Sequence, residues 1–166
     1  MLFKVKLTPQ RLFIKAHKEL VFQMVSAIGK GKMPGSSAIS SKVISRDGNV
    51  IVAEFVTKAG KRTVTTLEEV TLYPTDRITY RHLQGPIHYV SEEFTFNEVD
   101  GDMELAYKGE FDLNIPILGW FIGRFYVKPM FDSLIKEHME EIKEAAEARA
   151  ARSHVYRRPQ ASPNKQ

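Results

Sequence analysis

The sequence predicts an α+β domain in which a curved antiparallel sheet of about seven strands wraps around a long C-terminal helix. Two observations carry this prediction. Helical spacing of apolar residues occurs near each end of the chain, and between residues 36 and 113 the spacing is that of strands separated by turns. A sheet that curls around a single helix leaves a concave apolar space, and small ligands bind in spaces of this kind.

The first elements are a short strand and a helix. In Gln10 to Ala16, apolar side chains stand at every second position, which is strand spacing. From Lys18 the spacing changes to three and four, as one face of an amphipathic helix requires, and the apolar positions are Leu20, Val21, Met24, Val25 and Ile28. Gly29 and Gly31 are expected to end this helix.

Six strands follow, separated by turn signals such as Asp47-Gly48, Gly85-Pro86 and Asp100-Gly101. The last strand has the clearest alternation, with apolar side chains at every second position and charged residues between them. We predict one continuous antiparallel sheet over residues 36–113, whose concave face carries Phe94, Leu105, Tyr107 and Phe111.

A second helix is predicted over roughly residues 119–150. One side of it is apolar and the other charged; the inward-facing positions are Phe131, Leu134, Ile135, His138 and Ile142. Pro129 lies within this helix, where it removes one backbone hydrogen bond and predicts a kink.

Composition limits the organisation of the chain. A length of 166 residues suits one domain, which we place at residues 1–153, and the charge of +4 resides in the C-terminal arginines and Lys165. Residues 154–166 are expected to form a basic, disordered tail without a specific nucleic-acid partner. The absence of cysteine excludes disulfides and thiolate chemistry, and lysines interrupt the first apolar residues, so we expect a cytoplasmic protein.

Four sequence features carry a resemblance to a known superfamily: Ile14-x-Ala16 leading into a helix, the series of hairpins, Gly85-Pro86-Ile87 before Phe94-x-Phe96, and Pro129-Met130-Phe131. The chain resembles the START-related lipid-transfer domains, the polyketide cyclase and dehydrase family and the birch-pollen-allergen proteins, whose shared fold is called helix-grip. It is most similar to the polyketide cyclase and coenzyme-Q-binding group. The resemblance implies a cavity for an apolar ligand.

Catalytic and metal-binding motifs are not evident in the sequence. The five histidines are scattered, without the spacing of a metal site, and no serine has a G-x-S-x-G context. The pairs Glu68-Glu69 and Glu92-Glu93 are adjacent in strands, so at most one glutamate of each pair can face the cavity, where it could act as a general acid or base. We therefore predict no catalytic residue, metal or cofactor from the sequence.

The favoured function is binding or carriage of an apolar small molecule such as a lipid, a quinone or a polyketide-like ring system. The predicted ligand-binding residues are Tyr80, His82, Phe94, Phe96, Leu105, Tyr107, Phe111, Trp120, Phe125, Met130, Phe131 and Leu134. One alternative is a cyclase- or dehydratase-type enzyme in which His82, His88 or an inward glutamate moves a proton. Another is a protein-interaction module whose cavity is filled by side chains.

The segment from Ile115 to Val127 has more apolar side chains than one helical face can bury. It is too short to span a bilayer. The surplus predicts either the mouth of the cavity, which we favour, or a patch for peripheral membrane contact or a homodimer. Gly119 and Gly123 are expected to let this end of the helix move.

Overall fold

The structure, a computed structural model, describes residues 3–30 and 38–153. It confirms the predicted α+β fold, with a curved antiparallel sheet and a long C-terminal helix. The strands are β1 (Val5–Lys6), β2 (Gln10–Ile14), β3 (Ala38–Asp47), β4 (Val50–Ala59), β5 (Arg62–Tyr73), β6 (Arg77–Gln84), β7 (Tyr89–Val99) and β8 (Asp102–Asp112). The helical segments are α1 (Lys18–Val25), α2 (Leu118–Ile122), a π-helical turn (Gly123–Val127) and α3 (Lys128–Arg152).

The sheet is antiparallel and runs in the order β1-β8-β7-β6-β5-β4-β3. β2 also pairs with β8, next to β1, so the N-terminal residues cover one edge of the meander. The prediction of one continuous sheet is confirmed for β3 to β8. The two-residue strand β1 was not predicted from the sequence.

Register shifts interrupt the sheet between Val43 and Ser45 and between Leu67 and Glu68. At the second shift Leu67 pairs with Gln84 while Glu68 pairs with His82, so β6 contains one extra residue, the exposed Leu83. Such bulges bend a strand and increase its twist. The sheet therefore curves where β5 meets β6.

Helix α1 is shorter than predicted. It ends at Val25, and Ser26 is its C-terminal cap residue. It buries Leu20, Val21, Phe22, Met24 and Val25, as its spacing predicts. The ring of Phe22 meets that of Phe96 edge to face at 5.2 Å. α1 thus closes one end of the space between the sheet and α3.

The C-terminal helix contains the irregularity predicted at Pro129, in the form of a π-helical turn just before it. The backbone N–H of Lys128 donates to the carbonyl of Gly123, five residues earlier. Proline has no N–H to donate, and a wider turn is one way in which a helix accommodates that loss. The long regular part of the helix, α3, begins only after this turn.

Gly119 and Gly123 have a packing role that differs from the expected mobility. Both are buried, and a Cβ at Gly123 would lie 3.0 Å from Cε2 of Phe111 and 3.1 Å from Cγ2 of Val5. The missing side chain lets the helix approach β8 and β1 closely. This end of the helix is therefore packed against the sheet.

Two sequence predictions, the role of Gly31 in ending the first helix and the basic tail at residues 154–166, fall outside the described residues. Over residues 3–30 and 38–153, no helix combines the length and the apolar character needed to cross a membrane.

Candidate ligand-binding cavity

A cavity of about 260 Å³ lies between the curved sheet and α3. β4 to β7 and the loop before β7 form one wall, and α3 forms the other. The lining residues are Phe55, Thr57, Val64, Thr66, Glu68, Tyr80, His82, Pro86, Ile87, Glu92, Phe94, Met130, Phe131, Leu134, Ile135 and His138. Most of this surface is apolar, with the polar groups concentrated on β5, β6 and β7.

Strand alternation places the polar residues on one face. Thr66 and Glu68 are two residues apart on β5, as are Tyr80 and His82 on β6. Side chains two apart on a strand point to the same side. Glu68 pairs with His82 across β5 and β6, and Tyr80 pairs with Glu92 across β6 and β7.

The polar groups form a connected set that we call the His82 cluster: Thr66, Glu68, His82, Glu92 and Tyr107. Nε2 of His82 lies 3.1 Å from Oε1 of Glu68 and 3.6 Å from Oε2 of Glu92. The hydroxyl of Thr66 donates to Oε1 of Glu68 at 2.6 Å, and that of Tyr107 donates to Oε1 of Glu92 at 2.7 Å. One imidazole therefore stands between two carboxylates.

Two opposing effects act on the pKa of His82. Burial lowers it, because the imidazolium loses its hydration. The close contacts with Glu68 and Glu92 and the charges of these carboxylates outweigh burial and raise the pKa to about 9. His82 is therefore protonated at neutral pH. The side chains of His82, Glu68 and Glu92 are 10%, 12% and 13% exposed, so water screens this interaction little.

Two tyrosines and a second histidine at the cavity are held neutral. Burial raises the pKa of the Tyr80 and Tyr107 hydroxyls, and the negative charge of Glu92 adds to the effect at both. Burial lowers the pKa of His138, against a smaller opposing effect of Glu92. The Nδ1 atoms of His138 and His82 are buried and have no hydrogen-bond partner.

Six of the predicted ligand-binding residues line the cavity: Tyr80, His82, Phe94, Met130, Phe131 and Leu134. Tyr107 lies just behind the wall, where its ring packs on Phe94 with centroids 5.1 Å apart and its hydroxyl reaches Glu92. The concave-face residues Phe94, Leu105, Tyr107 and Phe111 are all buried, as their alternation predicts.

Three other predicted residues belong to the hydrophobic core and do not line the cavity. Phe96 packs against Phe22 of α1, and Phe111 stacks on Phe131 at 5.7 Å. Leu105 is fully buried opposite Leu12 of β2. Helix α1 covers Phe96 at this end of the concave face, and the cavity lies beside β4 to β7.

Trp120 and Phe125 also lie outside the cavity lining. They are 37% and 60% exposed, in a set of exposed apolar side chains that we call the apolar patch: Ile115, Ile117, Leu118, Trp120, Phe121, Phe125, Tyr126 and Met130. Met130 belongs to both surfaces, because it is half exposed and also lines the cavity. The patch therefore continues to the edge of the cavity.

The glutamate pairs follow the expected rule that at most one member faces inward. Glu68 and Glu92 line the cavity. On the opposite face, Glu69 forms an ion pair with Arg81, and Glu93 forms ion pairs with Arg77 and Lys108. Glu68, Glu92 and His138 line the cavity although they are not among the ligand-binding residues predicted from the sequence. Glu92 stands two and four residues before Phe94 and Phe96 on the same strand, and this spacing predicts that Glu92 shares their inward face. His88 is exposed and does not line the cavity.

Within the described residues, no group of three or more histidine, aspartate or glutamate side chains could hold a metal ion. The chemistry that the cavity residues themselves offer is proton donation, proton acceptance and hydrogen bonding. The His82 cluster supplies all three beside an apolar space.

Comparison with known proteins identifies the family. The sequence model of the polyketide cyclase/dehydrase and lipid transport family matches residues 10–147. The chain belongs to this family. No curated protein matches the chain.

Solved structures share the fold of this family member. A Thermus thermophilus protein is 19% identical, with a TM-score of 0.74 over 90% of this chain and 100% of that one. The di-domain aromatase/cyclase StfQ of the steffimycin pathway is 17% identical, with a TM-score of 0.76 over 89% of this chain and 52% of that one. The ZhuI aromatase/cyclase from a Streptomyces strain is 14% identical, with a TM-score of 0.71 over 90% and 94%. Together with the family match, this fold is a hydrophobic ligand-binding fold of the START-related, helix-grip superfamily.

Proposed function

We propose that this protein binds and carries a small apolar molecule in the cavity between β4–β7 and α3. The observation that carries the proposal is an apolar space of about 260 Å³ whose polar groups stand together on the sheet side. This volume is just below the range of about 300–1,000 Å³ typical of ligand pockets. It favours a small ring system or a short chain over a long-chain lipid.

Affinity can come from the apolar walls. Burial of roughly 200 Å² of ligand apolar surface contributes about 5 kcal/mol before the costs of association, at about 25 cal/mol per Å². Phe55, Phe94, Phe131 and Leu134 supply such surface from both walls. Binding therefore requires no catalytic group.

Native mass spectrometry of gently purified protein, followed by organic extraction, tests this function. We expect a bound molecule of low polarity, or binding of an added bicyclic probe such as 1-naphthol by calorimetry. Leu134→Trp fills the cavity from α3 and should abolish probe binding, whereas Phe125→Ala, at an exposed position outside the cavity, should not. Equal binding by both variants would place the ligand elsewhere.

The His82 cluster favours a second candidate, an enzyme that moves a proton on the bound molecule. A carboxylate of Glu68 or Glu92 can take a proton from a carbon next to a carbonyl, while protonated His82 stabilises the resulting enolate oxygen. The probe 1-tetralone in D2O tests this: the protein should accelerate deuterium incorporation next to the carbonyl, seen by proton NMR. His82→Gln should remove the acceleration and His88→Gln should keep it. If the protein binds tetralone without accelerating deuterium incorporation, the proton-transfer function is wrong and only the carrier function stands.

We also propose that the apolar patch contacts a membrane surface. Among residues 113–131, the basic side chain next to the patch is Arg124, which lies over the Phe125 ring, whereas the amine of Lys128 pairs with Asp132; the patch adjoins the cavity through Met130. Exposed apolar groups beside basic ones are typical of interfacial binding to anionic lipid. A ligand could then pass between the bilayer and the cavity.

Sedimentation with phosphatidylcholine vesicles, with and without phosphatidylserine, tests the membrane contact. Phe121→Ser should weaken binding, whereas Phe13→Ser, at an exposed position on β2 outside the patch, should have no effect. A dimer in sedimentation velocity that Trp120→Ser dissociates, without vesicle binding, would assign the patch to a second copy of the chain.

A further inference from the structure

The charged groups of the cavity indicate which kind of ligand it prefers. This inference rests on the proposed binding function. Two carboxylates, Glu68 and Glu92, face the cavity with one imidazole between them. All three side chains are nearly nine-tenths buried. The cluster has two acidic groups and one basic group, and the cavity lining holds no lysine or arginine that could balance the excess of acidic groups.

Hydrogen-bond donors are also fewer than acceptors in the cluster. Oε1 of Glu68 accepts from Thr66 and faces His82, and Oε1 of Glu92 accepts from Tyr107. Each carboxylate has a second oxygen, and an ionised carboxylate only accepts hydrogen bonds. Oε2 of Glu92 lies 3.6 Å from Nε2 of His82, beyond hydrogen-bond distance. The second oxygens can therefore accept a hydrogen bond from a ligand in the cavity or from water.

A separate observation comes from the opposite wall. His138 of α3 lines the cavity, and its Nδ1 is buried without a partner. Its ring meets that of Phe94 edge to face at 6.3 Å. Because Nδ1 is buried, a ligand in the cavity meets the ring of His138 and not this nitrogen. The polar groups that face the ligand therefore stand on the sheet side.

The aromatic walls add to this preference. Phe55, Tyr80 and Phe94 line the same cavity as the two carboxylates. The faces of aromatic rings attract cations, and the attraction is greater where water is excluded. An anionic ligand such as a fatty acid would instead meet two carboxylates of its own sign.

We propose that the cavity selects an apolar molecule bearing a protonated amine, which donates to Glu68 and Glu92 while its hydrocarbon part contacts α3. The amine balances the excess of acidic groups in the cluster and pairs its open acceptors. Molecules of equal shape bearing a hydroxyl bind more weakly, and those bearing a carboxylate bind most weakly.

Three probes that share one ring and differ in the polar group test the proposal: 1-naphthylmethylamine, 1-naphthylmethanol and 1-naphthoic acid. Isothermal titration calorimetry at pH 7 should give the amine an affinity at least tenfold above that of the alcohol, with the acid weakest. Glu92→Gln and Glu68→Gln should each weaken amine binding at least tenfold and change alcohol binding less than threefold. Glu69→Gln, on the opposite face of β5, is the matched control and should change neither.

The outcomes separate this inference from the proposed function. Equal affinities for amine and alcohol would overturn the amine preference and leave the apolar carrier function standing. Tightest binding of the acid would also overturn it, and would make His82 the group that recognises the ligand. If no probe binds a protein whose circular dichroism shows the folded state, the proposed binding function fails together with the inference.

Discussion

The hydroxyl of Tyr107 donates a hydrogen bond of 2.7 Å to Oε1 of Glu92. To reach this oxygen, the Tyr107 side chain crosses Gly109, the residue that pairs with Glu92 across β7 and β8. A Cβ at Gly109 would lie 2.7 Å from the Tyr107 oxygen and 3.2 Å from the carbonyl oxygen of Ser91. Glycine at this position therefore leaves the space through which a core tyrosine reaches a cavity carboxylate.

Gly109→Ala is expected to displace the Tyr107 hydroxyl and lower the free energy of unfolding by about 1–3 kcal/mol, the usual cost of overpacking. Tyr107→Phe should cost a similar amount, because it removes a donor from a buried carboxylate. In the Tyr107→Phe background, Gly109→Ala should cost less, since the clash with the hydroxyl is gone. Urea unfolding of the four proteins gives this double-mutant cycle, and additive effects would contradict the link.

The raised pKa of His82 makes stability depend on pH. The unfolded chain titrates this imidazole near pH 6.5 and the folded protein near pH 9, so the folded state binds more protons between these values. The stability that protonated His82 contributes is therefore fully present below about pH 6.5 and is lost as the pH rises through 9. The loss should be on the order of 3 kcal/mol.

Urea midpoints between pH 7 and 9.5 measure this loss. His82→Gln should flatten the profile in that range, and His88→Gln, at an exposed site, should not. His138 acts in the opposite sense: its lowered pKa contributes stability above the unfolded value near pH 6.5 that is lost on acidification. The pH values at which His138 affects stability lie below the interval of pH 7 to 9.5 in which the effect of His82 is measured. A wild-type midpoint that stays constant from pH 7 to 9.5 would contradict the charge assigned to His82.

Asp132 anchors the start of α3 to the chain before β2. It accepts hydrogen bonds from the Thr8 backbone N–H at 2.9 Å, the Thr8 hydroxyl at 2.7 Å and Nζ of Lys128 at 3.0 Å. Asp132→Asn is expected to lower the free energy of unfolding by about 1–3 kcal/mol. Glu140→Gln, at an exposed position of the same helix, should change it by less than about 0.5 kcal/mol.

Acid unfolding gives an independent measure of the same anchor. Burial alone would raise the pKa of Asp132, but the hydrogen bonds from Thr8 and Lys128 lower it overall. The stability it contributes is present above the unfolded value of about 3.9 and is lost as the pH falls through the folded value. The difference between wild type and Asp132→Asn should therefore shrink in acid, and a constant difference would contradict this role.

Leu134 and Phe125 should respond differently to truncation. Leu134 is half-buried and lines the cavity, whereas Phe125 is 60% exposed and lies outside it. Leu134→Ala is expected to cost about 2 kcal/mol of stability and to weaken probe binding, and Phe125→Ala should cost less than 1 kcal/mol. Thermal unfolding and calorimetry measure the two effects. Equal stability losses would contradict the position of Phe125.

Trp120 fluorescence provides a related test. Trp120 lies in the apolar patch and does not line the cavity, so a ligand within the cavity should leave its emission unchanged. Anionic vesicles should shift the emission to shorter wavelength, because the indole leaves water. An emission change with ligand alone would show that Trp120 itself contacts the bound ligand, the role that the sequence predicts for it.

The sequence by itself determined the fold class and six of the sixteen wall positions. Alternation in β8 and β7 determined the buried face through Phe94, Leu105, Tyr107 and Phe111, because side chains two apart in a strand share a face. Helical spacing placed Phe131 and Leu134 toward the sheet for the same kind of reason. These are local, periodic properties of the chain, which a sequence records directly.

Only the tertiary structure decided which polar groups meet. Glu68 pairs with His82 because the register shifts at Leu67, and Tyr107 reaches Glu92 because Gly109 leaves room between strands. Likewise, α1 covers Phe96 at one end of the concave face, so that this residue became core. Strand register and the packing of distant elements depend on contacts between residues far apart in the chain, and no local spacing specifies them.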